Sequence, residues 1–208
     1  MKKILVTGGA GYIGSHTIIE LITAGYTPII VDNLCNTSHK NIDGIESIIE
    51  STVKWHNVDC TEKEAMDKVF TEHGKIEGVI HFAAYKAVEE SVQNPQKYYD
   101  NNMGSLEVVL KCMQEHDVKN IIFSSSCTVY GMPDILPVDE NAPFKKAESP
   151  YGETKQICEQ MLKKDSCNSV ALRYFNPIGS HPSALIGDCS SDRPSNLVPI
   201  ITEVAIGK

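Results

Sequence analysis

A short run rich in branched residues, Lys3 to Val6, passes directly into Thr7-Gly8-Gly9-Ala10-Gly11-Tyr12-Ile13-Gly14. From Tyr12 the pattern changes, with Ile13, Ile18, Leu21 and Ile22 recurring at three- and four-residue steps. The first pattern predicts a buried strand and the second an amphipathic helix. A glycine fingerprint set between a strand and a helix is the context that marks a dinucleotide site. One glycine permits the tight turn, one lets backbone approach a pyrophosphate, and the last lets the helix pack close to the strand. The uncapped N–H groups and positive dipole end of the new helix then face the phosphates. Gly8, Gly11, Tyr12, Ile13 and Gly14 form this candidate site.

The order of the later strands and helices fixes the fold class. Thr27 to Asp32 reads as a second strand, closed by a carboxylate about twenty residues past Gly11, where it can accept from both ribose hydroxyls of an adenosine and repel a 2′-phosphate. No arginine follows Asp32, so the sequence favours NAD over NADP. Further strands are expected at Val53–Asp59, Gly78–Phe82, Asn120–Ser125 and Val170–Tyr174. Helices are expected at His39–Glu50, Glu62–His73, from Pro95 to about His116, and from Pro150 to Lys164. Strands alternating with helices call for a Rossmann-like, doubly wound parallel α/β sheet covered on both faces. Ligands on such sheets bind beyond the strands' carboxyl ends. Residues 1–175 are therefore read as a nucleotide-binding domain. Residues 176–208, loop-forming until a last apolar helix from Pro199, are read as the beginning of a smaller substrate domain in a chain cut within a larger design.

Composition narrows the partners. A formal charge of −8 and a pI near 5.3 argue against nucleic acid, and no apolar segment could span a bilayer. Seven widely spaced cysteines with no C-x-x-C pair point to free thiols in a reducing cytoplasm, with oxidation sensitivity at Cys35, Cys60 and Cys127. His16 and Glu20 lack further ligands for a metal, and His81, Tyr98 and Tyr99 read as packing residues, so no metal is expected.

The chemistry sits in two stretches. The fifth strand exits into Ser124-Ser125-Ser126-Cys127-Thr128-Val129-Tyr130-Gly131, and a later helix opens Ser149-Pro150-Tyr151-Gly152-Glu153-Thr154-Lys155. Tyr151 and Lys155, four apart, share one helix face. A free tyrosine titrates at about 10, too high for a base at neutral pH. A neighbouring ammonium and an oxidised nicotinamide both favour the phenolate, making Tyr151 a candidate general base.

These three stretches together resemble the extended short-chain dehydrogenase/reductase superfamily and, within it, the UDP-glucose 4-epimerase family. Asp-Asn-Leu-Cys-Asn, His-Phe-Ala-Ala-Tyr-Lys-Ala-Val, Tyr-Tyr-Asp-Asn-Asn, Ser-Pro-Tyr-Gly and Arg-Tyr-Phe-Asn-Pro extend the likeness along the whole chain. The resemblance implies an isomerase of galactose metabolism, with NAD reduced and reoxidised in each turnover while Tyr151 takes the proton from the sugar 4-hydroxyl. It implies that Lys155 lowers the tyrosine pKa and holds the nicotinamide ribose, and that Ser126, with Thr128 close by, bonds the 4-oxygen. By the same likeness Asp32, Asn33, Asn36 and Thr37 meet the adenosine ribose, Leu34 and Cys35 belong to the same cofactor site, and Asp59 and Cys60 meet the adenine. Phe82, Ala83, Ala84, Lys86, Asn101 and Phe175 line the remaining cofactor site, and Asn176 and Asn196 touch the UDP-sugar. Related dehydratases carry an Asp-Glu pair where this chain has Cys127 and Thr128, which argues against dehydration. A non-catalytic NAD-binding module and an epimerase for UDP-N-acetylhexosamines stay open as alternatives, as does pairing into a homodimer. The missing remainder of the family's length leads to the expectation that this piece keeps the NAD fold but turns over slowly or not at all.

Overall fold

The structure is a computed structural model that describes residues 1–189 and 197–207. In chain order it builds β1 (Lys3–Thr7), α1 (Tyr12–Thr23), β2 (Thr27–Val31), α2 (Lys40–Ile49), β3 (Lys54–His56), α3 (Lys63–His73) and β4 (Gly78–His81). There follow α4 (Val88–Gln93), α5 (Pro95–Tyr98), a π-helical turn (Tyr99–Met103) and α6 (Gly104–Glu115). The chain continues through β5 (Asn120–Ser126), a 3-10 turn (Cys127–Tyr130), α7 (Pro150–Lys164), β6 (Asn168–Tyr174) and α8 (Leu197–Ala205).

The six strands run parallel in the order β3-β2-β1-β4-β5-β6. The order reverses between β1 and β4, and the crevice above that point is where an open α/β sheet takes its ligand. Because successive strand residues face opposite sides, the sheet carries two cores. Leu5, Ile29, Val79 and Phe123 pack under Phe70 of α3, Leu106 and Val109 of α6 and Leu162 of α7. Val6, Ile30 and Ile80 pack on the other face under Ile18 and Ile19 of α1 and Ile42 and Ile45 of α2.

The expected strand at Val53–Asp59 is paired only over Lys54–His56. Asp59 turns out of the sheet, accepting from the Thr61 N–H and hydroxyl at 2.9 and 2.7 Å and from Asn33 at 2.8 Å, and these local bonds divert the backbone. The long helix expected from Pro95 is divided. Its π-helical turn brings Asn102 to bond both backbone groups of Tyr85, at 2.8 and 3.0 Å. The stretch before it, to which the sequence assigns no element, holds α4, and β6 begins two residues earlier than expected. β6 ends the sheet with Val170 and Leu172 exposed, and α8 leaves Leu197, Ile201 and Val204 exposed. Among the described residues no helix is long and apolar enough to cross a membrane.

Candidate active site

The turn after β1 is built for close approach. Gly8 sits at φ +68°, and a Cβ there would stand 2.7 Å from the Ala83 nitrogen at the exit of β4. A Cβ on Gly14 would run into the Gly8 carbonyl and stand 2.7 Å from Gly9 Cα, so the first turn of α1 lies directly on the glycine turn. Gly11 is the helix N-cap and no side chain caps it, which leaves the first N–H groups of α1, at Tyr12, Ile13 and Gly14, open toward the crevice.

Asp32, buried at the end of β2, ties this turn down. Its two carboxylate oxygens accept from the Ala10 N–H at 3.0 Å and the Leu34 N–H at 2.9 Å. Burial raises its pKa above the ordinary carboxylate value, and those two backbone donors only partly offset the rise. Leu34 adopts the left-handed conformation (φ +56°), which turns Asn33, Cys35 and Asn36 along the rim. Asn33 donates to Asp59 and accepts from the Cys35 N–H at 3.1 Å, while Thr37 Oγ1 donates to the Ala10 carbonyl at 3.1 Å. Burial alone would raise Asp59, yet the Thr61 and Asn33 bonds outweigh it and hold the carboxylate below its usual range. Cys60 is buried beneath this rim and its thiol is pushed strongly up, so it is a packing residue in this state.

The exit of β4 faces the turn from the other side. Thr7 Oγ1 meets His81 Nδ1 at 2.7 Å, and Ser105 lies 3.4 Å from Nε2. Burial, then the Lys155 charge, drives His81 down to about 3, which keeps the ring neutral. Phe82, Ala83 and Ala84 are half-buried above it. Lys86 is exposed and pairs with Asp188 at 3.7 Å, and Asn101 donates to Asn102 at 3.0 Å.

The reactive pair stands on α7. Ser149 caps the helix by accepting from the Gly152 N–H at 3.1 Å, and Pro150 occupies its first position, where a missing N–H costs nothing. Tyr151 is thereby fixed in the first turn, near Ser126 at the end of β5, which acts to lower the phenol's pKa. Ser126 Oγ accepts from the Thr128 N–H at 3.2 Å. Thr128 Oγ1 is buried with no hydrogen-bond partner among the described residues.

Lys155 departs from expectation. Its ammonium is buried, donates to the Ser124 carbonyl at 2.8 Å and rests 4.8 Å from the centre of the Phe123 ring. Burial lowers Lys155 to about 8. Burial also raises Tyr151, with the Ser126 hydrogen bond acting against it. Burial and Ser126 thus set the Tyr151 pKa, while the lysine is turned toward the Ser124 carbonyl of β5.

Phe175 is 61% exposed and Asn176 is also exposed, so neither is packed into the cluster. Asn196 lies outside the described residues. Three supports were not anticipated: Ser124, through its carbonyl; Asn102, beneath the β4 exit; and Glu159. Buried Glu159 takes Arg173 at 2.9 and 2.8 Å and the Ser125 hydroxyl at 2.6 Å. Glu159 lies one helical turn beyond Lys155, the one signal that would have marked it. Elsewhere His56 and His73 meet at 2.7 Å beside Glu72, with the charges of Lys3 and Lys54 nearby, which oppose a cation.

Over residues 4–203 the chain matches the family described as the NAD dependent epimerase/dehydratase family. It is 51% identical over 212 residues to the UDP-glucose 4-epimerase of Dictyostelium discoideum, a match covering 99% of this chain and 61% of that protein. It is 47% identical to the UDP-glucose 4-epimerase of Bacillus subtilis, with the same two coverages. Among solved structures it superposes with a TM-score of 0.95, at 46% identity, on the Bifidobacterium longum UDP-glucose 4-epimerase in complex with NAD+ and UDP. That match covers 99% of this chain and 63% of that one, so the chain spans about three-fifths of the length of these relatives.

Proposed function

We propose, since the chain belongs to the NAD dependent epimerase/dehydratase family, that it is the nucleotide-binding and catalytic part of a UDP-glucose 4-epimerase. The single observation that carries this reading is Tyr151 in the first turn of α7, with the Lys155 Nζ 5.7 Å from its ring centre, beside the exit of β5 and across β4 from the glycine turn.

The residues fit a dinucleotide. A Cβ would fill the cradle at Gly8 and Gly14, and the open start of α1 suits a pyrophosphate. Asp32 offers its remaining lone pairs to ribose hydroxyls, with Asn33 and Asn36 on the same rim. Asp59 borders the adenine side, and Phe82, Ala83 and Ala84 form the floor. When bound, NAD supplies a reversible acceptor for hydride. Tyr151 takes and returns the proton at the sugar 4-oxygen, and Ser126 orients that oxygen by hydrogen bonding. The unpartnered Thr128 hydroxyl gives the same oxygen, or its neighbour, a further partner. Lys155 places a positive charge behind the phenol, which stabilises the phenolate once the site is closed from water. UDP-glucose and UDP-galactose are the proposed substrates, and residues 176–208 begin the part of the protein that grips them. The seven free thiols suit a reducing compartment such as the cytoplasm.

The test is to load the chain with NAD+, add UDP-galactose and follow the fluorescence of reduced nicotinamide. Signal in the wild type and none in Tyr151→Phe supports the reading. NAD+ binding with no signal in either leaves a binding module and overturns it.

A further inference from the structure

We infer that Asn41 is a positioning residue that clasps the segment after β6 onto the glycine turn, so that the placement of residues 185–189 follows the state of the dinucleotide site. The coupling rests on the NAD-binding reading above, whereas the clasp itself does not.

Asn41 is the second residue of α2 and is fully buried, an unusual place for an amide unless every polar atom is used. Its Nδ2 donates to the Ala10 carbonyl at 2.8 Å and to the Gly187 carbonyl at 2.9 Å. Its Oδ1 accepts from the Gly187 N–H at 3.1 Å and from the Cys189 thiol at 3.5 Å. One side chain therefore satisfies both backbone groups of Gly187 and reaches the middle of the glycine turn, where Ala10 also donates to Asp32.

The helix surface beside it is shaped to receive that segment. A Cβ on Gly44 would overlap the Leu185 carbonyl and stand 2.9 Å from Ile186 Cγ2. Ile186 is 3% exposed and joins the core cluster that holds Ile42 and Ile45. Two residues of the proposed cofactor site hold the same segment further along, Tyr12 through the Gly179 carbonyl and Lys86 through Asp188. A ligand that settles the glycine turn thus acts on the segment through Ala10 and Asn41, a path of two hydrogen bonds.

The test is hydrogen exchange read by mass spectrometry on the full 208-residue chain, with and without NAD+, for the wild type, Asn41→Ala and Gly44→Ala. Removing the amide strands buried backbone groups, so amides 185–189 should exchange about tenfold faster in Asn41→Ala while β1, β4 and β5 stay unchanged. Gly44→Ala leaves the amide in place and pushes the segment away, and the same local loss is expected. In the wild type NAD+ should slow exchange at both 8–14 and 185–189; in Asn41→Ala it should slow only 8–14. Unchanged exchange of 185–189 in both variants overturns the clasp, as does loosening spread evenly over the sheet. Continued NAD+ protection of 185–189 in Asn41→Ala overturns the coupling. If NAD+ protects neither segment in the wild type, the NAD-binding reading and the coupling fail, while the ligand-free comparison still decides the clasp.

Discussion

The Lys155 ammonium donates to the Ser124 carbonyl at 2.8 Å and lies 5.7 Å from the centre of the Tyr151 ring. Desolvation acts on both groups, raising the tyrosine and lowering the lysine. A positive charge arriving beside the phenol would favour its ionised form, so readiness for proton transfer comes with the ligand.

The lysine gives a stability signature. Its folded pKa of about 8 lies below its ordinary 10.5, so between those values the unfolded chain holds a proton that the folded chain has released. Stability attributable to Lys155 must rise with pH across that window, by about 3 kcal/mol in all. Lys155→Met removes the effect. In urea denaturation series, the advantage of Met over Lys should shrink steadily from pH 8 to pH 10.5.

Glu159 gives a slope of the same sign in the acid range. Although burial alone would raise it, the Arg173 fork and the Ser125 hydroxyl hold it below its usual value. Its contribution is present above the unfolded pKa and lost as pH falls through the folded one. Glu159→Ala strands the Arg173 charge and should cost about 3–5 kcal/mol near neutral pH. Melting the Glu159→Ala and Arg173→Met variants singly and together should show the double variant recovering part of that loss.

Gly14→Ala places a methyl group against the Gly8 carbonyl. The turn has backbone on every side of that point and cannot yield without opening, so a loss of about 2 kcal/mol or more is expected. Titration with NAD+ followed by tryptophan fluorescence should find affinity reduced by more than an order of magnitude.

Thr128→Val tests the unpartnered hydroxyl. Since Oγ1 has no partner among the described residues, its removal should leave thermal stability unchanged or raised by up to about 1 kcal/mol. If the hydroxyl serves the sugar, UDP-galactose should bind about tenfold more weakly to the same variant, measured by calorimetry.

Much of this was legible in the chain because strand and helix periods alternate so regularly. The run from Lys3 to Gly14 and the Ser149-Pro150 start of α7 specify their conformations by purely local rules, and both formed as read. What sequence could not reveal depends on partners distant along the chain. The division of the helix at Asn102 answers to Tyr85, the turn of Asp59 out of the sheet in part to Asn33, and the aim of Lys155 to a carbonyl on β5. A residue spacing places two side chains on one face, but it does not say which of them a neighbouring strand will claim.

The reversal of strand order between β1 and β4 divides the labour of the molecule. Groups proposed to read the ribose that distinguishes one coenzyme from the other stand at the exit of β2, those proposed to work on the sugar stand on β5 and α7, and the short exit of β4 borders both. Coenzyme choice and reaction chemistry can therefore be re-engineered as separate modules, provided that Phe82 to Lys86, the shared wall between them, is left alone.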